Sequence, residues 1–403
     1  MTTTRLGPDA TAAEIRALVP PPGDVEPDVR AILDEVRAGG DAAVRRLTER
    51  FDHAALAPDE LAVPPAEIEA AIGTLEPAVL AGLREAIANV RAVAEAQLRD
   101  PVRVELEAGQ VVEVDEVPVR RAAAYVPGGR APYPSTVVMC ATTARVAGVD
   151  ELAVCAPPGP GGRAHPAILA ACGLCGVNEV YRMGGAQAIG ALAYGTESVR
   201  PVDVIVGPGN RYVTEAKRQV AGIVGIDGLA GPSELVVVAT AGADPKLVAL
   251  DLAAQAEHGA DSLVVAISPD REFLDGLAGP FALVEARDAR AAVRLADELA
   301  PEHLQLMGEE AEALAGTVRS AGAVFVGTDA GTAFGDYVAG SNHVLPTGGA
   351  ARFASGLSPA TFRRRMARIS LTPGAAARLA PAGAAIARAE GFPVHAESME
   401  RRA

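Results

Sequence analysis

The sequence predicts an α/β protein with two Rossmann-like domains, each built on a parallel sheet, and with small helical elements at both ends. Short apolar runs alternate with helical patterns in two consecutive sets, as expected for parallel strands joined by helices. The length of 403 residues supports two domains, because one hydrophobic core rarely serves more than about 250–300 residues. With 49% apolar and 22% charged residues, the composition is that of a globular protein.

The region before the first predicted strand has a helical pattern. Apolar residues recur at helical spacing over 28–50, where Gly39 and Gly40 interrupt the pattern, and over 66–98, where Pro77 interrupts it. Amphipathic helices have an apolar face to bury. We therefore expect this region to pack on one of the two sheets.

Predicted strands and helices alternate through the rest of the chain. The first set has strands at 122–126, 151–156, 178–183 and 202–206, with helices near 136–147, 163–173, 185–194 and 211–222. The second set has strands at 234–239, 262–267, 281–284 and 323–327, with helices near 245–258, 288–299 and 309–320. The tail after residue 357 is predicted to be mostly helical and to serve subunit exchange.

These patterns divide the chain into four predicted parts. The parts are an N-terminal helical element (1–20), a first α/β domain (21–124 and 233–357), a second α/β domain (125–232) and a C-terminal dimer-exchange element (358–403).

Charge and composition exclude several classes of partner. Lys and Arg number 36 against 51 Asp and Glu, so the formal net charge is −15, which disfavours a nucleic-acid partner. Aromatic residues make up 3% and Trp is absent, so base-stacking surfaces are not expected. The N-terminus lacks the apolar core of a signal peptide, and no apolar stretch approaches the ~20 residues of a membrane span. We expect a soluble, cytoplasmic protein with no membrane partner.

One C-x-x-C pair is present, formed by Cys172 and Cys175. A structural zinc site needs four ligands, and a second pair is missing. We therefore predict that both cysteines are buried free thiols.

A glycine-rich turn follows the strand predicted at 202–206. Gly207, Pro208, Gly209 and Asn210 precede a predicted helix, and a turn of this kind can bind phosphate through backbone N–H groups. The sequence has no G-x-G-x-x-G motif. A tight turn without a ligand is therefore an equally good interpretation.

The helix predicted at 245–258 has a polar stripe. Asp251, Gln255 and His258 are four and three residues apart, so they share one face of an otherwise apolar helix. Such a stripe either faces water or has polar partners, since an unpaired buried polar group costs on the order of 1–3 kcal/mol. The pattern alone leaves both interpretations open.

Two further polar clusters contain histidine. Glu302 and His303 directly follow a helix, where a carboxylate beside an imidazole can serve as a base and its orienting partner or as two bases. Asp336 and His343 lie in a glycine-rich loop after a predicted strand, a common location for ligand-binding groups.

Histidines are few, which makes their neighbours informative. Of the six, His53 and His165 lie in loop-like sequence and are predicted to be on the surface, whereas the other four lie near Asp, Glu or Gln, including His395 close to Glu390. Zinc accepts imidazole nitrogens together with amide or carboxylate oxygens. A zinc site is therefore a reasonable hypothesis, but the spacing does not select four ligands.

A series of motifs resembles one known family. In chain order the strings are AAYVPGG, YPSTVVM, GGAQAIGALAYGT, VGPGNRYVTEAK, AGPSELVVVA, DLAAQAEHGADS, APEHLQL, GDYVAGSNHVLPT and EGFPVHAES. Together they resemble the histidinol dehydrogenase family over nearly the whole chain. The resemblance implies oxidation of L-histidinol through L-histidinaldehyde to L-histidine with two NAD, the last steps of histidine biosynthesis.

The resemblance also implies roles for individual residues. One zinc ion per subunit would be bound by Gln255, His258, Asp336 and His395, the last one supplied across the interface of an intertwined homodimer. The catalytic bases would be Glu302 and His303, with the base His303 and the four zinc ligands also contacting substrate. Ser233, His343 and Glu390 would complete the substrate pocket. Tyr125, Gln187 and Asn210 would contact NAD.

The sequence departs from the family at one place, and other functions are conceivable. The stretch 268–280 is shorter than in many members, away from every named residue. A relative of the same fold with zinc and NAD could oxidise another small polar alcohol. A zinc hydrolase would leave the YVPGG, GGAQAI and GPGN segments without a role. A non-catalytic metal-binding protein would not need the adjacent Glu302 and His303.

Overall fold

The computed structural model of the chain describes residues 3–19, 23–128, 131–159 and 161–403. The strands are β1 (Thr4–Leu6), β2 (Val102–Glu105), β3 (Val111–Pro118), β4 (Arg121–Tyr125), β5 (Glu151–Ala156), β6 (Glu179–Arg182), β7 (Val204–Val206), β8 (Gly225–Ile226), β9 (Glu234–Ala239), β10 (Leu263–Ser268), β11 (Ala282–Glu285), β12 (His303–Met307), β13 (Ala323–Val326) and β14 (Arg363–Ser370).

The helices connect and flank these strands. They are α1 (Ala12–Arg16), α2 (Glu26–Asp52), α3 (Pro65–Ile72), α4 (Pro77–Glu95), α5 (Pro134–Val137), α6 (Thr143–Val146), α7 (Pro166–Leu174), α8 (Gly185–Tyr194), α9 (Arg211–Val220), α10 (Pro245–Ala256), α11 (Arg271–Asp275), α12 (Ala289–Leu299), α13 (Glu309–Ala313), α14 (Thr332–Tyr337), α15 (Pro373–Ala389) and α16 (Pro393–Glu400). A π-helical turn, Val138–Thr142, joins α5 to α6. No helix in the described ranges has the length and apolar character needed to cross a bilayer.

Two parallel sheets form the centres of two domains, which confirms the predicted fold class. The six-stranded sheet has the order β1-β11-β10-β9-β12-β13, and the five-stranded sheet has the order β6-β5-β4-β7-β8. The central strands β9 and β10 are wholly buried, as expected for parallel strands covered by helices on both faces. In the six-stranded sheet, β10 and β11 lie on one side of β9, and β12 and β13 lie on its other side. In the five-stranded sheet, β5 and β6 lie on one side of β4, and β7 and β8 lie on its other side, so the strand order reverses between β9 and β12 and between β4 and β7.

The N-terminal helices pack on the five-stranded sheet. Helix α2 packs against α8 and α9, α3 packs against α7, and α4 packs against the π-helical turn. The prediction that residues 21–124 belong with 233–357 is therefore wrong for these helices and for β4, which lies inside the five-stranded sheet. Apolar periodicity shows that a helix has a face to bury, but not which sheet will cover it. The predicted interruption near Gly40 is confirmed, since this residue has φ 51° and ψ −140° within α2.

The N-terminal residues are part of the six-stranded domain. Strand β1 pairs with β11 in parallel, and α1 packs against α12. The prediction of a helical element over 1–20 is therefore incomplete, because a strand precedes the helix. Residues 1–2 and 20 lie outside the described ranges.

The C-terminal part contains a strand that the sequence pattern did not indicate. Strand β14 pairs antiparallel with β3, which pairs antiparallel with β2. The β14 sequence, RRRMARIS, is rich in arginine and lacks the alternation typical of a half-buried strand. Residues on all three strands remain exposed or only partly buried. Helices α15 and α16 follow and pack mainly on each other.

Candidate active site

The candidate site lies in a cleft between the two sheets. The cleft has a volume of about 550 Å³ and is lined from both domains. Pro127 and Pro208 follow β4 and β7, so they mark the carboxyl edge of the five-stranded sheet, at the point where its strand order reverses. Ser233 and His303 stand at the starts of β9 and β12, so they mark the amino edge of the six-stranded sheet.

The polar residues of the six-stranded domain meet at this amino edge because of the direction of its helices. Helix α10 begins after β9 ends and runs back to the start of β10, so its last turn brings Gln255 to the amino edge and the turn after it brings His258 there. Helix α14 follows β13 and carries Asp336 near its C-terminus. The C-terminal ends of helices have partial negative charge, which favours a bound cation.

Glu302 is buried and well supplied with hydrogen-bond donors. Its Oε2 accepts a hydrogen bond from Ser233 Oγ at 2.5 Å and from the backbone N–H of Glu234 at 2.9 Å. The residue is 8% exposed. Burial raises the pKa of this carboxyl, although His303 and the two donors oppose that shift.

His303 is buried beside Glu302, and its ring nitrogens have different partners. Nδ1 lies 3.0 Å from the backbone carbonyl of Glu234 and 3.5 Å from Oε2 of Glu302, and Nε2 lies 3.5 Å from Oδ1 of Asp336. Burial alone would lower the pKa of His303, but Asp336, Glu302 and the Glu234 carbonyl outweigh it and raise the pKa to about 9. The structure thus brings the two predicted bases into direct contact.

Asp336 and His343 also come together, as neighbours of His303. His343 Nδ1 lies 2.8 Å from the backbone carbonyl of Asp336, and its Nε2 lies 3.3 Å from Oγ1 of Thr136. Burial would raise the pKa of Asp336, but the hydrogen bond with His303 and the nearby imidazoles lower it. Burial lowers the pKa of His343. Both residues line the cleft.

The polar stripe of α10 divides between two environments. Gln255 is buried and its Nε2 donates to Ser233 Oγ at 2.6 Å, while His258 lines the cleft. Asp251 instead accepts a hydrogen bond from Gln305 Nε2 at 2.8 Å, within the six-stranded domain. The interpretation that the stripe has polar partners is confirmed for Asp251 and Gln255, whereas His258 is exposed in the cleft.

The described part of the chain contains no group of three His, Cys, Asp or Glu side chains placed to hold a metal. The cleft nevertheless contains the imidazole of His258 and the carboxylate of Asp336, and the amide of Gln255 lies behind its wall, bonded to the lining residue Ser233. These are donor types that zinc accepts. A closed set of four ligands would need a donor from elsewhere.

The glycine-rich turn after β7 lines the opposite wall of the cleft. Asn210 begins α9, and its Oδ1 accepts hydrogen bonds from the backbone N–H groups of Tyr212 at 3.0 Å and Val213 at 3.2 Å. The turn also requires a glycine, because Gly207 has φ 107° and a Cβ there would lie 2.1 Å from the carbonyl oxygen of Tyr125. Asn210, the N-cap of this ten-residue helix, lines the cleft.

Tyr125 and Gln187 lie below this wall rather than on it. The Tyr125 hydroxyl accepts a hydrogen bond from the backbone N–H of Gly185 at 3.1 Å, and Gln187 Nε2 donates to Asp52 at 3.5 Å. They are 3% and 1% exposed and are not among the residues that line the cleft. Gly129, the last residue of the YVPGG string, lies outside the described ranges.

Glu390 and His395 do not belong to the cleft of their own chain. They lie at the end of α15 and in α16, are exposed, and do not line the cleft. His395 packs near Phe392, with ring centroids 5.3 Å apart.

The remaining predictions for histidine and cysteine are confirmed. His53 and His165 are exposed, and His165 Nδ1 accepts the backbone N–H of Ala167 at the start of α7. Cys172 and Cys175 are buried and free.

Comparison with known proteins decides the family. The profile described as histidinol dehydrogenase matches residues 21–279 and 275–403. The chain belongs to the histidinol dehydrogenase family. The two matched segments overlap at 275–279, within the short stretch between β10 and β11.

Individual histidinol dehydrogenases are similar over nearly their whole length. The chain is 45% identical to the histidinol dehydrogenase of Cereibacter sphaeroides over 400 residues, covering 94% of this chain and 92% of the relative. It is 43% identical to that of Gluconobacter oxydans over 395 residues, covering 93% and 92%. The crystal structure of histidinol dehydrogenase from Elizabethkingia anophelis superposes with a TM-score of 0.91 at 32% identity, covering 99% and 98%.

The sequence patterns did not indicate two ion pairs, one half-buried and one buried. Glu234 accepts Arg16 beside the catalytic candidates. Lys217 donates to Asp227 and to the carbonyl of Gly207, while Asp227 accepts the Gly207 N–H. Lys217 in α9 and Glu234 in the AGPSE string look like ordinary surface charges in the sequence. The sequence alone does not show that other parts of the chain bury them.

Proposed function

We propose that this member of the histidinol dehydrogenase family oxidises L-histidinol through L-histidinaldehyde to L-histidine, using zinc and two NAD per substrate. The contact between buried Glu302 and His303 at the wall of a cleft between two α/β domains carries the proposal. An oxidation of alcohol to acid requires removal of a hydroxyl proton in one step and activation of water in the next. Two adjacent bases of different chemistry fit those two demands.

His303 is the base for the alcohol step. Because Nδ1 faces the Glu234 carbonyl, it carries the proton of the neutral ring and leaves Nε2 as the acceptor. In the chain alone, Asp336 is a main reason for the raised pKa of His303. If Asp336 binds zinc, it no longer raises the pKa of His303, and burial then lowers that pKa. The neutral ring can accept the hydroxyl proton at Nε2.

Glu302 is the base for the water step. Ser233 and the Glu234 N–H both bind Oε2, which fixes the carboxylate in one orientation. Its raised pKa brings the carboxylate closer to the range of an effective base at neutral pH. Glu302 thus takes a proton from the water that adds to the aldehyde carbon.

One zinc ion per subunit would be held by Gln255, His258 and Asp336 of one subunit and by His395 of the other. Zinc would supply Lewis-acid chemistry at this site and help to position the substrate. Support comes from the donor types gathered at the ends of α10 and α14. Ser233, His343 and Glu390 contact the substrate around these ligands.

NAD occupies the wall formed by the five-stranded domain. When bound, NAD accepts the hydride. The positive end of α9 lies at this turn, beside the cleft residue Asn210, and favours a pyrophosphate there. Asn210 orients this turn, and Tyr125 and Gln187 support the wall from below.

The working unit is an intertwined homodimer. Three facts support it, the first being that Glu390 and His395 do not reach the cleft of their own chain. Second, one face of the antiparallel sheet presents Val102, Val104 and Ile369, which are 55%, 44% and 67% exposed. Third, a three-stranded sheet needs a packed face to be stable. A second copy supplies that cover and brings its tail to the site.

Subunit mixing tests the shared site. Homodimers of His303→Ala and of His395→Ala are each expected to be inactive, since each lacks one part of both sites. Mixed dimers contain one site with both residues intact and are expected to recover partial activity. No recovery after verified exchange would contradict the shared site.

Substrate selectivity tests the proposed function itself. The enzyme is expected to oxidise L-histidinol and to leave L-leucinol untouched, because leucinol has the same amino alcohol but no imidazole. Turnover is followed as NADH absorbance, with the product identified as histidine by chromatography. Preference for leucinol or another alcohol without imidazole would overturn the proposal.

A further inference from the structure

An ion pair lies directly behind the two candidate bases. Arg16, the last residue of α1, donates from Nη1 to Oε1 of Glu234 at 2.8 Å and from Nη2 to Oε2 at 3.4 Å. The Glu234 side chain is 6% exposed and that of Arg16 is 27% exposed. Neither residue lines the cleft. The pair therefore cannot touch substrate, but its contacts lead to groups that do.

Glu234 contacts both bases through its backbone. Its N–H donates to Oε2 of Glu302 at 2.9 Å, and its carbonyl lies 3.0 Å from Nδ1 of His303. The parallel register of β9 and β12 explains this arrangement, since His303 pairs with Leu235 and Glu302 therefore lies beside Glu234. A shift of the Glu234 backbone would disturb both bases at once.

The Glu234 side chain fixes two more backbone segments. Its carboxylate accepts the N–H of Glu302 at 3.3 Å and the N–H of Gly348 at 2.9 Å. Gly349 lies against the Arg16 guanidinium, where an added Cβ would be 3.4 Å from Nε. The loop after His343 and the strand that carries the bases are thus tied to one carboxylate.

Arg16 fixes the turn that leads into Glu302. Its Nη2 donates to the carbonyl of Leu299 and lies 3.5 Å from the carbonyl of Ala300. Ala300 has φ 47°, a left-handed conformation that is unfavourable for alanine. The guanidinium therefore holds a strained turn two residues before the first base.

We propose that Arg16 and Glu234 are positioning residues, which fix the relative placement of Glu302 and His303 for both oxidation steps. The inference rests on the proposed function for the roles of the two bases. Arg16 acts through Glu234 and through the turn at 299–300. The negative charge of Glu234 matters for this role, because its carboxylate accepts hydrogen bonds from the Arg16 guanidinium and from two backbone N–H groups at the same time.

The test compares Arg16→Ala, Arg16→Lys and Glu234→Gln with Arg5→Ala as a matched control. Arg5 lies on β1 of the same N-terminal segment, in an exposed ion pair with Asp275. For each variant, kcat and KM are measured with L-histidinol and with L-histidinaldehyde, together with zinc content and thermal unfolding. Labelled histidine and 15N spectra report the tautomer of the His303 ring.

A positioning role predicts a loss in kcat rather than in binding. Arg16→Ala is expected to lower kcat with both substrates by about 100-fold, the effect of displacing a catalytic group by about 1 Å. KM and zinc content should change little, and the 15N signal of Nδ1–H in His303 should be lost or shifted. Arg16→Lys should recover part of the loss, Glu234→Gln should lower kcat as well, and Arg5→Ala should retain the activity of the original protein.

Several outcomes would overturn the inference. One is a folded Arg16→Ala variant with unchanged kcat and an unchanged His303 signal. Another is a loss of activity that matches the loss of folded protein or of zinc. If Arg16→Ala does not fold, Arg16→Lys and Glu234→Gln decide the question by the same measurements. Failure of the unmodified enzyme on L-histidinol would contradict the proposed function, while the His303 signal would still test the positioning.

Discussion

The hydroxyl of Ser233 forms hydrogen bonds both with the candidate base Glu302 and with Gln255, a candidate zinc ligand on α10. Its oxygen lies 2.5 Å from Oε2 of Glu302 and accepts the amide of Gln255 at 2.6 Å. The hydrogen bond from Ser233 lowers the pKa of Glu302 against the larger effect of burial. The Ser233 hydroxyl at the start of β9 is therefore one of the groups, with His303 and the Glu234 N–H, that favour the ionised form of Glu302.

Replacement of Ser233 by alanine should weaken the water step. Loss of the donor raises the pKa of Glu302, so the acid limb of the pH profile of kcat should move to higher pH. At neutral pH kcat should fall about ten-fold, as expected when a hydrogen bond of about 1.5 kcal/mol to a charged group is lost. The profile is best measured with L-histidinaldehyde, where only the second oxidation occurs.

Ser268→Ala is the matched control for that variant. Ser268 is also a buried serine of the six-stranded sheet, but its hydroxyl accepts the N–H of Asp270 at the opposite edge. It should affect stability without moving the acid limb. A Ser233→Ala enzyme with the unchanged pH profile would contradict the proposed role of Glu302.

Removal of the metal should abolish activity reversibly. Dialysis against a chelator is expected to stop histidinol oxidation, and added zinc should restore it, because we propose that the zinc ligands also contact the substrate. His258→Ala should lower the zinc content per subunit measured by atomic spectroscopy, whereas His165→Ala should not, since His165 is exposed at the start of α7. Full activity in metal-free protein would contradict the zinc assignment.

The raised pKa of buried Asp52 should make the free energy of unfolding depend on pH. Burial raises its pKa from 3.8 to about 6, and nearby His53 opposes this only in part. The folded chain therefore keeps the proton to higher pH than the unfolded chain. Between these values the unfolded state binds fewer protons, so the free energy of unfolding contributed by Asp52 falls as pH rises.

The variant Asp52→Asn removes this penalty while keeping an acceptor for Gln187. It should raise the melting temperature at about pH 8, with the gain shrinking as pH falls toward about 4. The exposed Asp59→Asn serves as control in the same thermal scans. A gain that did not depend on pH would contradict the assignment of the raised pKa to Asp52.

The buried pair of Lys217 and Asp227 should affect NAD binding. Lys217 Nζ donates to the carbonyl of Gly207 at 2.6 Å, and Asp227 accepts the Gly207 N–H at 2.6 Å, so the pair fixes the turn that we propose to face the pyrophosphate of NAD. Lys217→Met should raise KM for NAD by about ten-fold, equivalent to about 1.4 kcal/mol. Lys246→Met, which changes an exposed lysine, is the control. Unchanged KM for NAD in folded Lys217→Met would refute this role.

The sequence predicted several strands of both sheets but not β12, which begins at His303. Strands at 151–156 and 234–239 agree with β5 and β9, because runs of buried apolar residues leave little ambiguity. The helices over 26–95 were assigned to the wrong sheet, since amphipathic spacing does not name the partner surface. Strand β14 was missed because its pairing involves charged side chains, such as Arg365 with Glu116.

The candidate site shows a similar division. Helical spacing correctly grouped Gln255 with the site, where it bonds to Ser233, whereas His258 reaches the cleft from the turn after α10 and Asp251 bonds to Gln305. The site also lies at the amino edge of the six-stranded sheet, whereas a position after a strand had suggested the carboxyl edge for Asp336. Asp336 lies at the amino edge because α14 runs back along the sheet after β13. The spacing of residues in the sequence does not show the direction of that helix.

The stoichiometry of NADH tests the central claim most directly. A limiting, known amount of L-histidinol is given to zinc-loaded enzyme with excess NAD, and NADH and histidine are counted at completion. Two bases that act in successive oxidations predict two NADH and one histidine for each histidinol. One NADH per histidinol with accumulation of aldehyde, or no NADH, would contradict the account.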